Sequence, residues 1–162
     1  MTRTHAFIES RHEIEQILRE EGLGLLGLTS DRGPYVVPLN YGYVDGRIVF
    51  HCALEGRKLE CIRANPAVCF TVARQTGTVG PHFGTKCHVD NDSVICLGQA
   101  RILEEPQERA AMLNAFNRCF SPDAADIPEE RIRTCGIVEI RIEEMTGRRE
   151  VNRKVTYWRH RF

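Results

Sequence analysis

The chain has 162 residues, with 22 Lys plus Arg against 22 Asp plus Glu, a formal net charge of zero, and it is 42% apolar and 27% charged. That length and apolar share suit a single domain over 1–162 with a real core, and they argue against disorder. The charge balance disfavours a nucleic-acid binder, no apolar run approaches the roughly 18 residues that span a bilayer, and MTRTHAFIESRHE lacks an apolar signal region. A cytoplasmic protein that engages neither nucleic acid nor membrane is the expectation.

Residues 10–21 read as a helix, because Ser10 and Glu13 form an S-x-x-E capping box and Ile14, Ile17 and Leu18 share a face, with Gly22 as the stop. A strand over Leu23–Thr29 follows, then a turn at Asp31–Pro34 and a second strand over Tyr35–Val44. Asp45–Gly46 is a two-residue hairpin signal, and the returning arm Arg47–Ala53 alternates, with Ile48, Phe50 and Cys52 on one side. A short helix carries Leu59 and Ile62 on one face and stops at Asn65–Pro66. Ala67–Ala73 is a strand, 74–91 a polar loop, and Ser93–Leu103 another strand. Pro106 opens a helix with an apolar stripe of Met112, Leu113, Phe116 and Phe120. Gly136–Ile142 closes the core, and VNRKVTYWRHRF forms a basic, aromatic tail. Strands at short intervals with few helices predict a mainly β (α+β) chain, a six-stranded antiparallel split β-barrel with flanking helices.

Several patterns carry no chemistry. Gly22-x-Gly24-x-x-Gly27 spells a dinucleotide fingerprint, but it follows a helix and leads into a strand, the reverse of what a pyrophosphate needs, so it reads as a helix stop and a tightly packed strand. The seven cysteines include no C-x-x-C pair and read as reduced thiols. His82 with Cys87–His88 is an incomplete ligand set, so no metal is expected. Tyr41 and Tyr43 read as barrel residues.

The informative stretch is Arg47–Pro66. A strand ends at His51-Cys52-Ala53, the chain turns through Gly56, and Arg57 and Lys58 open a helix. Free amides at a helix start favour an anion, and an arginine fork beside a lysine point charge suits a phosphate monoester. Two cations in a first helical turn oppose the helix dipole unless an anion is bound; the plain alternative is a pair of solvated surface charges.

The run PYVVPLNYGYVDGRIVFHCALEGRKLECIRANPAVCF resembles the flavin-binding split barrel of the pyridoxamine 5′-phosphate oxidase-like superfamily, and within it the nitroimidazole-resistance branch. The resemblance runs from about Glu13 to Thr146 and implies FMN, with FAD as the alternative, bound at the interface of a homodimer. By that likeness Val37, Pro38, Leu39 and Asn40 lie along the isoalloxazine through main-chain groups. His51, Cys52 and Ala53 lie beside the ribityl chain and phosphate, Arg57 and Lys58 bind the phosphate, and Ser93 and Val94 complete the site. Cys52 stands where the family commonly has Ser, exchanging a hydroxyl donor for a weaker thiol.

The resemblance implies an FMN-dependent oxidoreductase that reduces a small-molecule electron acceptor such as a nitroaromatic compound. His51 is either its catalytic proton donor or only a cofactor contact. Trp158 is either a lid over the flavin or an anchor for the tail. The alternatives are a non-catalytic flavin-storage or redox-sensing protein, or a haem-binding split barrel with His51, His82 or His88 as axial ligand.

Overall fold

The computed structural model describes residues 8–79, 88–151 and 154–162. Helix α1 (Arg11–Glu20) starts where the capping box places it: Ser10 is the N-cap and its Oγ accepts from the Glu13 amide at 3.5 Å. Strands β2 (Leu23–Ser30) and β3 (Gly33–Asn40) form a hairpin whose turn requires Gly33 at φ 98°. β4 (Gly42–Val44) and β5 (Arg47–Cys52) form a second hairpin, with Asp45 and Gly46 both at positive φ, as a two-residue primed turn demands. Helix α2 (Arg57–Ala64) leads into β6 (Ala67–Val79) and β7 (His88–Ile102). Helices α3 (Pro106–Phe120) and α4 (Glu129–Ile132) precede β8 (Gly136–Val151) and β9 (Lys154–Arg161); the short β1 (Ile8–Glu9) pairs in parallel with β9.

The strands run β3-β2-β6-β7-β8, and the far edge of β8 is divided between two partners. Its first half, 136–141, pairs with β5, and its second half, 144–151, pairs with β9. β3 and β4 end the path without pairing to each other, which leaves the barrel split. Alternation sorts the side chains as the sequence implied. Ile48, Phe50, Val138, Ile140 and Ile142 face the barrel core with Leu26, Phe70 and Cys96, while Val49 and Ile137 face a smaller cluster under α3 with Leu103, Leu113 and Phe116.

Four expectations need correction. The described residues hold nine strands rather than six: the expected ones are β2, β3, β5, β6, β7 and β8, and β1, β4 and β9 are additional. The single strand expected over 35–44 is broken at Tyr41, whose amide donates to the Gly22 carbonyl and whose hydroxyl donates to Leu18 O at 2.8 Å, drawing that residue off the sheet toward α1. Much of the expected loop over 74–91 is a ribbon of β6 and β7, in which Arg74 is tied across to Asp92 by an ion pair. β8 runs on to Val151, and the basic tail is β9, in which Trp158 is buried. The glycine-rich run behaves as expected, since a Cβ at Gly24 would lie 2.2 Å from Phe70 Cζ. No helix among the described residues is long and apolar enough to cross a membrane.

Candidate functional site

Three elements meet where β5 ends. The chain leaves the strand at Cys52, and β8 approaches so closely that a Cβ on Gly136 would lie 2.9 Å from the Ala53 carbonyl oxygen. Gly56 then turns at φ 130°, a conformation that L side chains rarely adopt, and opens α2. Its carbonyl accepts from the amides of Leu59 and Glu60, at 2.9 and 3.2 Å, and no side chain among the described residues caps the helix. The first amides, those of Arg57 and Lys58, therefore have no intrahelical acceptor. Leu59 and Ile62 anchor the helix in the barrel core, so its N-terminus is a fixed corner with two cations.

The two cations differ in placement. The Arg57 guanidinium lies over the Tyr35 ring, Cζ 4.2 Å from the centroid, and Nη2 donates to Ser30 Oγ at 3.0 Å. Lys58 Nζ lies 5.3 Å from the centre of the Phe50 ring. Cys52 is half-buried beside it; burial pushes the thiol pKa up while the Lys58 charge pulls the other way, and the thiol stays protonated. Arg57 thus ties the N-terminus of α2 to the tip of the β2–β3 hairpin, at the head of β3. Ser30 and Tyr35 are the residues that the sequence reading missed. Nothing local marks them, because each meets Arg57 only across the fold.

β3 is an edge strand: β2 pairs with one side, and no other described strand pairs with its outer side. Its outward main-chain groups are therefore open to a ligand: in this stretch they are the Pro38 carbonyl and the groups of Asn40, whereas Val37 and Leu39 turn theirs to β2. Side chains alternate along β3: Leu39 is buried in the barrel, Val37 is half-buried, and Pro38 and Asn40 are exposed on the outer face. His51 points away from Cys52, toward α3, where it meets the Phe116 ring edge-on at 5.1 Å between centroids. It is exposed, and no described residue hydrogen-bonds its ring nitrogens.

Ser93 and Val94 lie elsewhere. They sit in β7, opposite Ala73 and Val72 of β6, with β2 and β6 between them and β3. Val94 is fully buried and packs in the core, whereas Ser93 is half-buried. Trp158 is a tail anchor rather than a lid, packing on Gly147 with the Arg149 guanidinium 5.3 Å above its ring. Tyr43 is structural: burial first, and then its 2.7 Å hydrogen bond to the Glu15 carboxylate, push its pKa up. His82 and Cys87 lie outside the described residues, as does the side chain of His88; among the described residues no group of three or more His, Cys, Asp or Glu could hold a metal.

The family described as pyridoxamine 5′-phosphate oxidase matches residues 10–149. No curated protein matches the sequence. Among solved structures, a candidate 5-nitroimidazole antibiotic resistance protein from Bacteroides thetaiotaomicron is 26% identical, with a TM-score of 0.77 over 95% of this chain and 89% of that one. The flavocytochrome Anf3 from Azotobacter vinelandii is 17% identical, with a TM-score of 0.78 over 96% of this chain and 79% of the other. The FAD and heme binding protein from Mycobacterium smegmatis is 16% identical, with a TM-score of 0.73 over 82% of this chain and 66% of the other. At those identities the last two likenesses concern the fold.

Proposed function

This chain belongs to the pyridoxamine 5′-phosphate oxidase family, and from that premise we propose that it is an FMN-binding flavoprotein that reduces small acceptors such as nitroaromatic compounds. The observation that carries the reading is the corner at the start of α2, where uncapped amides meet two adjacent cations, Arg57 reaching the tip of the β2–β3 hairpin and Lys58 lying over the Phe50 ring of β5. A phosphate ester satisfies the amides and removes the conflict between two cations and the helix dipole. The inner phosphate of FAD would fit the same corner. The likeness to a candidate nitroimidazole resistance protein supports the choice of acceptor.

Bound flavin supplies hydride uptake at N5 and one- or two-electron transfer; the chain's own residues bind and orient it. Arg57 and Lys58 hold the phosphate, the β3 edge offers main-chain hydrogen bonds to the ring, and Ala53 borders the ribityl chain. Cys52 donates only weakly through its thiol. His51, with both ring nitrogens unengaged, is the group placed to hand a proton to an acceptor from the α3 side. The site is shared with a second copy of the chain. Support for this comes from the apolar outer face of the sheet, where Val36, Leu25, Ile95 and Leu97 are each 44–58% exposed. Ser93 lies on β7 two and four residues from Ile95 and Leu97, and so on their face.

The visible spectrum of the purified protein tests the cofactor: flavin bands support the reading, and a Soret band in their place favours haem and overturns it. Arg57→Ala with Lys58→Ala should lower FMN affinity at least about a hundredfold, two charge-assisted contacts being lost. Unchanged affinity by titration would refute the phosphate corner. His51→Gln should retain FMN while lowering kcat; an unchanged kcat would reduce His51 to a contact.

A further inference from the structure

We propose that Tyr35 is a positioning residue for the anion site: with Ser30, it holds the Arg57 fork in its binding posture before the phosphate arrives. The inference rests on the flavin reading above and deepens it. A surface arginine ordinarily explores many rotamers and must give them up to ligate an anion. Arg57 makes two side-chain contacts that restrain it, although it belongs to the exposed first turn of α2.

Two contacts from one hairpin hold it. The Tyr35 ring, packed at its base against the barrel core, lies under the guanidinium plane at 4.2 Å. Ser30 Oγ donates to the Gly33 carbonyl at 2.6 Å, which turns its lone pairs outward, and one of these accepts from Arg57 Nη2 at 3.0 Å. Gly33 itself adopts φ 98° at the hairpin tip. No other described residue takes a hydrogen bond from Arg57, so its remaining N–H groups are left for a ligand. A tyrosine placed only for packing would have no need of a cation on its exposed face. Here the ring and the serine fix the guanidinium in two directions.

The experiment compares FMN with riboflavin, which carries the same ring without the phosphate, by calorimetric titration of the full-length flavin-free protein. Wild type binds FMN more tightly than riboflavin. Tyr35→Leu should weaken FMN binding about tenfold while changing riboflavin binding less than about twofold, and Tyr35→Phe, which keeps the ring, should restore the wild-type ratio. Ser30→Ala should narrow the ratio about threefold, and it carries the test if Tyr35→Leu does not fold. An unchanged ratio in Tyr35→Leu, or in Ser30→Ala where that variant carries the test, overturns the proposal while leaving the phosphate corner intact. A wild-type protein that does not distinguish the two flavins overturns the corner itself, and the proposal with it.

Discussion

Asp92, at 2% exposure, is held between two guanidiniums: Arg74 donates to it at 2.9 and 3.1 Å, and Arg149 at 2.7 and 3.1 Å. Burial alone would raise its pKa, but the hydrogen bonds from Arg149 and Arg74 outweigh burial and hold the carboxyl below its ordinary value. Glu15 behaves likewise: burial works against the hydrogen bonds from Tyr43, Arg11 and Arg19, which win. Both carboxyls have a depressed folded-state pKa. Their stabilisation is therefore complete above the unfolded value near pH 4, and it is lost as pH falls below that, through the folded value. Asp92→Ala should cost about 3 kcal/mol at pH 7, because it removes the buried carboxylate that bridges Arg74 and Arg149 and leaves them only their more exposed partners Glu20, Glu21 and Glu13, and it should flatten the decline of stability between about pH 5 and 3; denaturant titrations at stepped pH check both. At this scale the candidate site was half legible. Arg57 and Lys58 stand out because cations at a helix start are anomalous. Ser30 and Tyr35 do not, since their role exists only once a hairpin tip is folded against α2.

Strands were readable where one face is apolar and the other is not. β5 shows Ile48, Phe50 and Cys52 against Val49 and His51; the first three face the barrel core, Val49 the smaller cluster, and His51 is exposed. The signal fails in the ribbon of β6 and β7 beyond Ala73, where Arg74 pairs with Asp92 and Gln75 with Asn91, and pairing rather than burial maintains the strands. It fails in β9 for a similar reason: the strand is fixed by its ladder to β8 and by the ion pair of Arg161 with Glu144, with Trp158 as its buried residue. Bulges are equally silent in sequence. Between Leu97 and Gly98 the register with β8 shifts, and a Cβ at Gly98 would lie 2.2 Å from the Arg141 carbonyl oxygen. Because the obstacle is backbone, it cannot turn aside. Gly98→Ala should destabilise the fold by about 2–3 kcal/mol, measured as a lower denaturant midpoint with an unchanged slope.

The whole sheet has one face packed on its own core and another that carries an apolar patch across β3, β2, β6 and β7. A second copy covering that patch would also bring each Ser93 toward its partner's edge strand, uniting positions that a single chain keeps apart. Leu97→Glu, a charge placed in this patch, should convert a dimer to a monomer in sedimentation velocity and release the flavin with it. A dimer that persists, or a monomer that retains tight binding, would contradict the shared site. Trp158 allows a different measurement. It is the chain's only tryptophan, and it seals β9 against Gly147 and, through that glycine, against Ile14 of α1. Intrinsic fluorescence therefore reports a single event, the seating of the C-terminal strand. A red shift that precedes the loss of far-ultraviolet ellipticity would show this seam peeling away while the rest of the barrel still stands.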